Sequence, residues 1–252
     1  MTAVGALVRD YVRDQSTVLD SSRGLPEDPV AVHRTRVSAR RLRSVLGSYS
    51  SVVPDVGGLR HELRWLGSVV AGLRRLDVLA AAYPGDADVL EEIGRRRAAG
   101  LEAAREHLAG PRASHIATAL DELVASDGWS ELPGDLVARR VISREHERVL
   151  ERAEVAHLPG ADRDARLHDV RKAAKRLRYT AETVTSVLPS AAEVARRAER
   201  LQDVLGSRND RVAAQAWLAT LAVDRPDLAE RVTLPPEDDL AAYDEALAAL
   251  LT

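Results

Sequence analysis

The residues best placed to do chemistry lie between His33 and Arg43. They read His-Arg-Thr-Arg-Val-Ser-Ala-Arg-Arg-Leu-Arg: one histidine, five arginines and no acid, in a protein of formal net charge −3. At about 100° per residue, His33, Arg36, Arg40 and Arg43 fall on one strip of a helix, with Arg34 and Arg41 to one side. Thr35, Leu42, Val45 and Leu46 fall opposite and supply a face to bury. The strip is about 15 Å long at ~1.5 Å per residue. Like charges one turn apart cost a helix roughly 0.2–0.5 kcal/mol per pair. The strip therefore needs acids on a neighbouring helix or an anionic ligand. Arginine suits phosphate, because its planar fork donates two parallel, charge-assisted hydrogen bonds.

The stretch occurs twice. At an offset of 135 residues, His168-Asp-Val-Arg-Lys-Ala-Ala-Lys-Arg-Leu-Arg178 matches it at six of eleven positions. The identities are His33/His168, Arg36/Arg171, Ala39/Ala174, Arg41/Arg176, Leu42/Leu177 and Arg43/Arg178, while Arg40/Lys175 keeps the charge. His168, Arg171, Lys175 and Arg178 again line one strip, with Val170, Leu177 and Ala181 across from it. Without a gap, the same offset pairs Leu66 with Leu201, Val70-Ala-Gly-Leu with Leu205-Gly-Ser-Arg, Arg9 with Arg144, and Arg13 with Arg148. One offset serving three helices predicts two copies of a helical unit. If the copies pack about a pseudo-two-fold axis, both strips face one groove.

The elements that must position these strips read as helices throughout. Ala, Leu, Arg and Glu dominate, Phe is absent and aromatics are 3% of the 252 residues, so the expected class is all-α. Helices are expected over about 2–20, 29–49, 59–82, 86–108, 113–125, 135–157, 162–187, 190–222 and 239–251, with an interruption considered near Gly206. Asp28-Pro29 reads as an N-cap followed by proline at the first helical position, and Asp86 as a second cap. Pro235-Pro236 is the break before the last helix. Asp127-Gly128 and Leu132-Pro133-Gly134 mark the boundary between halves, giving one domain of two helical repeats, 1–130 and 131–252.

Composition excludes several classes. With no cysteine there is no disulfide, thiolate metal site or Cys nucleophile. No H-E-x-x-H, P-loop, nucleophile elbow or dinucleotide fingerprint occurs, so no metal, cofactor or catalytic residue is expected. The first residues contain no signal-like apolar run, and no segment approaches a membrane span; a cytoplasmic protein is expected. The net charge argues against a generic polyanion binder, so a basic site must be local.

The doubled H-x-x-R-x-x-x-(R/K)-R-L-R pattern, each copy followed by a Leu-rich helix, resembles the CHAD family, the conserved histidine α-helical domain. Leu73-Arg-Arg-Leu-Asp-Val-Leu79 and Leu205-Gly-Ser-Arg-Asn-Asp210 fit it too. The chain departs from the family at Arg75, where an acid is usual; Asp210 keeps that acid in the second copy. The resemblance implies two four-helix bundles related by pseudo-two-fold symmetry. It also implies inorganic polyphosphate bound in a basic groove, and association with polyphosphate granules. The candidate contacts are His33, Arg36, Arg40, Arg41, Arg43, His168, Arg171, Lys172, Lys175 and Arg178. Eight contacts at about 1 kcal/mol each correspond to affinity of order micromolar.

Each assignment has a plainer alternative. The arginine strips could be solvated faces paired to neighbouring acids, and His33 and His168 could be buried core residues. Arg144 and Arg148, with counterparts Arg9 and Arg13, are weaker candidates because Glu145, Glu147 and Glu151 offer helix-surface pairing. Arg60, His61 and Arg64 are similar, with Glu62 between them; the remaining histidines read as surface residues. An enzymatic alternative, a phospho-accepting His33 or His168, is disfavoured by the duplication and by the lack of carboxylates to hold a metal. Nucleic acid is disfavoured because Tyr179 is the sole aromatic near either strip, leaving little to stack bases on.

Overall fold

The helix-forming composition holds in three dimensions. The computed structural model describes residues 2–160, 162–232, 234 and 240–251, and among them eleven helices form and no strand. In order these are α1 (Val4–Arg23), α2 (Pro29–Ser48), α3 (Leu59–Val69), α4 (Ala71–Ala82), α5 (Ala87–Ala109), α6 (Pro111–Ala125), α7 (Gly134–His157), α8 (Arg163–Glu182), α9 (Ser190–Asp224), α10 (Pro226–Ala229) and α11 (Leu240–Leu251). The Asp28 carboxylate accepts from the Val30 amide at 2.8 Å with Pro29 in the first turn, and Asp86 caps α5 through the Val89 amide at 3.1 Å. Both starts therefore fall where the cap residues place them. The Pro235-Pro236 break lies outside the described residues.

Three expected boundaries move. The helix expected over 59–82 is divided at Val70, which closes α3 and opens α4. Gly67 and Gly72 flank the break and weaken the helix there, while Val70 itself is buried. The helix expected to reach 187 stops at Glu182, where the β-branched residues of Thr183-Val-Thr-Ser-Val187 and then Pro189 follow. No break occurs at Gly206: α9 runs unbroken for 35 residues, with the buried Leu201 and Leu205 just before the glycine anchoring it. The cost of one interior glycine, about 1 kcal/mol, is smaller than the ~1.5–3 kcal/mol gained by burying each leucine.

The faces opposite the basic strips are the core. Thr35, Leu42, Val45 and Leu46 on α2 are buried, as are Val170, Leu177 and Ala181 on α8. One contiguous apolar cluster takes in residues from α1, α2 and α3 together with α7, α8, α9 and α11. A smaller cluster, including Leu79, Ile93, Trp217 and Leu221, joins α4 and α5 to the far end of α9. Successive packing of α2 on α8, α8 on α9, α9 on α4 and α4 on α2 closes a ring of four helices.

The segment between the halves is pinned. Ser130 accepts from the Gly5 amide at 3.0 Å and Leu132 from the Val4 amide at 2.9 Å, while the Gly134 amide donates to Thr2. These bonds satisfy amides at the starts of α1 and α7 that have no partner within their own helices. A side chain at Gly5 would stand 2.5 Å from the Ser130 carbonyl, so only glycine permits this approach. A buried polar knot ties α2 to α7 and α8. Glu145 accepts from Ser48 Oγ at 3.0 Å and pairs with Arg176 at 2.9 Å and Arg148 at 3.1 Å, and Tyr49 Oη donates to the Thr180 carbonyl at 2.9 Å. Removing one partner of a buried pair costs roughly 3–5 kcal/mol. Glu145→Ala is thus expected to lower unfolding free energy by that order in denaturant titration, with Glu145→Asp intermediate.

Candidate functional site

Packing of α2 against α8 brings the two basic strips together. Arg36 and Arg40 from α2 and Arg171 and Lys175 from α8 line two adjoining pockets of about 510 and 780 Å³, forming the saddle between them. The first pocket continues over α4 and α9, with His33, Arg41, Arg74, Arg75, Arg178 and Asp210 on its walls. The second continues over α3, with Arg43, Arg60, His61, Arg64, His168 and Lys172. All ten candidate residues thus line one or both of these adjoining pockets.

Two arginines are aimed by backbone carbonyls. Arg36 Nη1 donates to Gly67 O and Arg171 Nε to Gln202 O, each at 3.3 Å. Gly67 lies in the last turn of α3, where the break at Val70 leaves carbonyls without helical partners. On α9, Gly206 lies beside the Arg171 guanidinium, where an added Cβ would make ordinary contact at 3.5 Å.

The cations lower one another's proton affinity. Lys175, only 8% exposed, is brought down to about 6, first by burial and then by Arg40, Arg171 and Arg36, with Asp210 opposing. Arg36 is brought down to about 10 by burial and by Arg40, Arg75, Arg74 and Arg43. His33 is held below the ordinary histidine value by partial burial, then by Arg74, Arg40, Arg36 and Lys175. Burial and Arg64, Arg40 and Arg60 do the same to Arg43. Such mutual suppression is the signature of positive groups gathered with too few counter-charges.

Acids meet the cations mainly at the edges. Arg41 pairs with Glu182 at 3.2 Å, Arg178 with Glu182 at 2.7 Å and Glu199 at 2.9 Å, and Lys172 with Asp169 at 2.5 Å. Tyr179 is buried, with Arg41 and Arg178 over its ring at 5.2 and 5.9 Å from the centroid. His33 and His168 are both exposed residues on the pocket walls, so neither is a core histidine.

The second-tier arginines lie outside both pockets. Arg13 pairs with Asp10 at 2.6 Å; Arg148 pairs with Glu145; Arg144 donates to the Ser48 carbonyl; and Arg9 is half-buried on α1. Conversely, the groove recruits Arg74, Arg75 and Arg176, absent from the ten, and Arg60, His61 and Arg64, discounted because of Glu62. Glu62 is turned away, bound to Arg112 at 2.6 and 3.1 Å, and Arg112 stacks over Trp65 at 4.2 Å. The helical wheel held the signal, since Glu62 lies about 160–200° from Arg60 and Arg64.

Residues 3–219 match the family model described as the CHAD domain. The chain belongs to the CHAD family. Its fold resembles the crystal structure of the CHAD domain from the plant Ricinus communis, with a TM-score of 0.75 and 25% identity over 98% of this chain and 86% of that one. PptA from Streptomyces chartreusis shares the fold, with a TM-score of 0.64 and 21% identity over 99% and 93% of the two chains. Uncharacterized proteins from two strains of Mycobacterium tuberculosis are each 30% identical over 214 residues. The match takes in 77% of this chain but 40% of theirs, so this CHAD chain corresponds to less than half of those relatives. Among the described residues no helix is long and apolar enough to cross a membrane.

Lys175 gives the site a stability signature. Between about 6 and the ordinary lysine value of 10.5, the unfolded chain binds one proton more than the folded chain at this position. Stability therefore rises with pH across that window. Lys175→Met is expected to flatten the slope and to raise the denaturant midpoint at pH 7, measured in titrations from pH 6 to 10. An unchanged slope would contradict the assignment.

Proposed function

We propose that this groove binds inorganic polyphosphate without converting it, and that the two halves are pseudo-two-fold copies presenting matched cations to one chain of phosphates. The observation that carries the reading is the convergence of Arg36, Arg40, Arg171 and Lys175 on one saddle, with Asp210 the one acid among the described residues lining the two pockets; burial together with these cations lowers the proton affinity of Lys175. A ligand with one negative charge per repeat unit, spaced along a flexible chain, supplies the missing counter-charge at every position. The paired bonds Arg36 to Gly67 and Arg171 to Gln202 support the symmetric part, since donors and acceptors are both 135 residues apart. Membership in the CHAD family is consistent with it. Association with polyphosphate granules follows if the groove engages long chains.

Binding restores the charge on Lys175, so it takes up protons above pH 6; it also weakens as salt screens the contacts. Long polyphosphate rebinds along the groove and holds more tightly than triphosphate or ATP. RNA competes poorly, because the ring of Tyr179 is covered.

The test is calorimetric titration with long polyphosphate, triphosphate and ATP in buffers of different ionisation enthalpy at pH 8. Changing Arg36, Arg40, Arg171 and Lys175 to Gln is expected to weaken long-chain binding at least 100-fold. Equal affinity for the three ligands, or an unaffected variant, would overturn the reading. His33→Gln with His168→Gln should reduce the rise in affinity as pH falls through the histidine range, leaving the part that Lys175 contributes. Polyphosphate length should be unchanged after incubation, and mass measurement after exposure to a phosphodonor should find no phosphohistidine.

A further inference from the structure

The two ends of the groove are not electrostatically equal. In the second half Arg178 is neutralised by Glu182 at 2.7 Å and Glu199 at 2.9 Å. Its counterpart 135 residues earlier is Arg43, and the positions matching those two acids are Gly47 and Arg64. Both pairing acids are therefore missing in the first half, and one is reversed in sign.

The missing side chain at Gly47 is used. A Cβ at this position would stand 2.7 Å from Arg60 Nη2 and 3.0 Å from its Cζ, so the Arg60 guanidinium lies against bare α2 backbone. A cation thus rests at the position from which an acid reaches Arg178 in the other half. Arg43, Arg60 and Arg64 face the same pocket, and the two others depress the proton affinity of Arg43 after burial has done so. Among the described residues no carboxylate lies within ion-pair distance of these three arginines, and no acid lines this pocket. Glu62, the acid nearest in sequence, is held by Arg112.

We propose that Arg43, Arg60 and Arg64 form an anchoring subsite for a compact run of about three phosphates at the α3 end of the groove, so that an anionic chain is gripped from one end. The inference rests on the polyanion reading but goes beyond it, because a symmetric groove would bind without polarity. Three guanidiniums around one pocket can each donate to one phosphate group of a triphosphate, and none is held by acids such as the partly exposed Glu182 and Glu199 that Arg178 must give up before binding anything else. The shared ligand chemistry is a triphosphate, either the end of a long chain or a free nucleotide.

The experiment compares four proteins: the wild type, Arg64→Glu, the neutral double variant Arg60→Gln with Arg64→Gln, and Arg178→Gln. Each is titrated with tripolyphosphate, ATP and long polyphosphate, with melting temperatures as the check on folding; Arg60 and Arg64 are exposed, so the fold should be retained. Arg64→Glu, which gives Arg43 the partner that Arg178 has, is expected to weaken tripolyphosphate at least tenfold and long polyphosphate about threefold. The double variant should do nearly as much, and Arg178→Gln should change tripolyphosphate less than threefold. ATP as strong as tripolyphosphate supports the subsite and assigns it to nucleotides; weaker ATP supports it and assigns it to chain ends. Equal losses in Arg64→Glu and Arg178→Gln, with long polyphosphate still bound by the wild type, would overturn the anchoring subsite and leave the groove reading intact. No binding of long polyphosphate or tripolyphosphate by the wild type would instead overturn the groove reading, and the subsite with it.

Discussion

Apolar packing beneath the α2–α8 crossing holds together cations that repel one another above it. Leu42, Val45, Leu46, Val170 and Leu177 are all essentially inaccessible, and each contributes of order 2 kcal/mol through burial. That gain offsets the burial and mutual repulsion that together lower the proton affinities of Lys175 and Arg36. Small residues sit beside the charges in the buried layer, Ala39 next to Arg40 and Ala174 next to Lys175. Apolar burial and charge crowding are therefore opposed at the same two helices, as expected for a site preorganised for charge it does not itself carry.

The rest of the molecule keeps this crossing in register. Glu145 fastens Arg176 and the C-terminal turn of α2 from beneath, while the pinned segment at Ser130 and Leu132 ties the start of the chain to the start of the second half. At the other side of the ring, Leu79 and Trp217 close α4 against α9, with ion pairs such as Arg96–Asp224 at 2.9 Å around them. Within this frame Arg36 and Arg171 are held by backbone carbonyls, which leaves these two side chains little freedom to lose.

Much of this was legible before the fold was. The wheel positions of Leu42 and Leu177 and the caps at Asp28 and Asp86 carry over into the structure, because they depend on local geometry and on spacing along one helix. The break at Val70, the early stop at Glu182 and the continuity of α9 through Gly206 were not, because there local propensity competes with the burial of residues such as Val70, Leu201 and Leu205. The same holds for the acids. Glu62 stands between two groove arginines in sequence yet serves Arg112, whereas Glu182 and Glu199 reach Arg178 from one turn and one helix away.

By itself, then, the sequence determined that the chain is helical and locally basic on two helices, since residue type and periodicity act over a few turns. Only the tertiary structure decided that the two strips share one groove, that Arg60, Arg64, Arg74 and Arg75 join it, and which cations keep a counter-charge. Charge pairing is a matter of distance in space, and a helical wheel holds no information about the helix across from it.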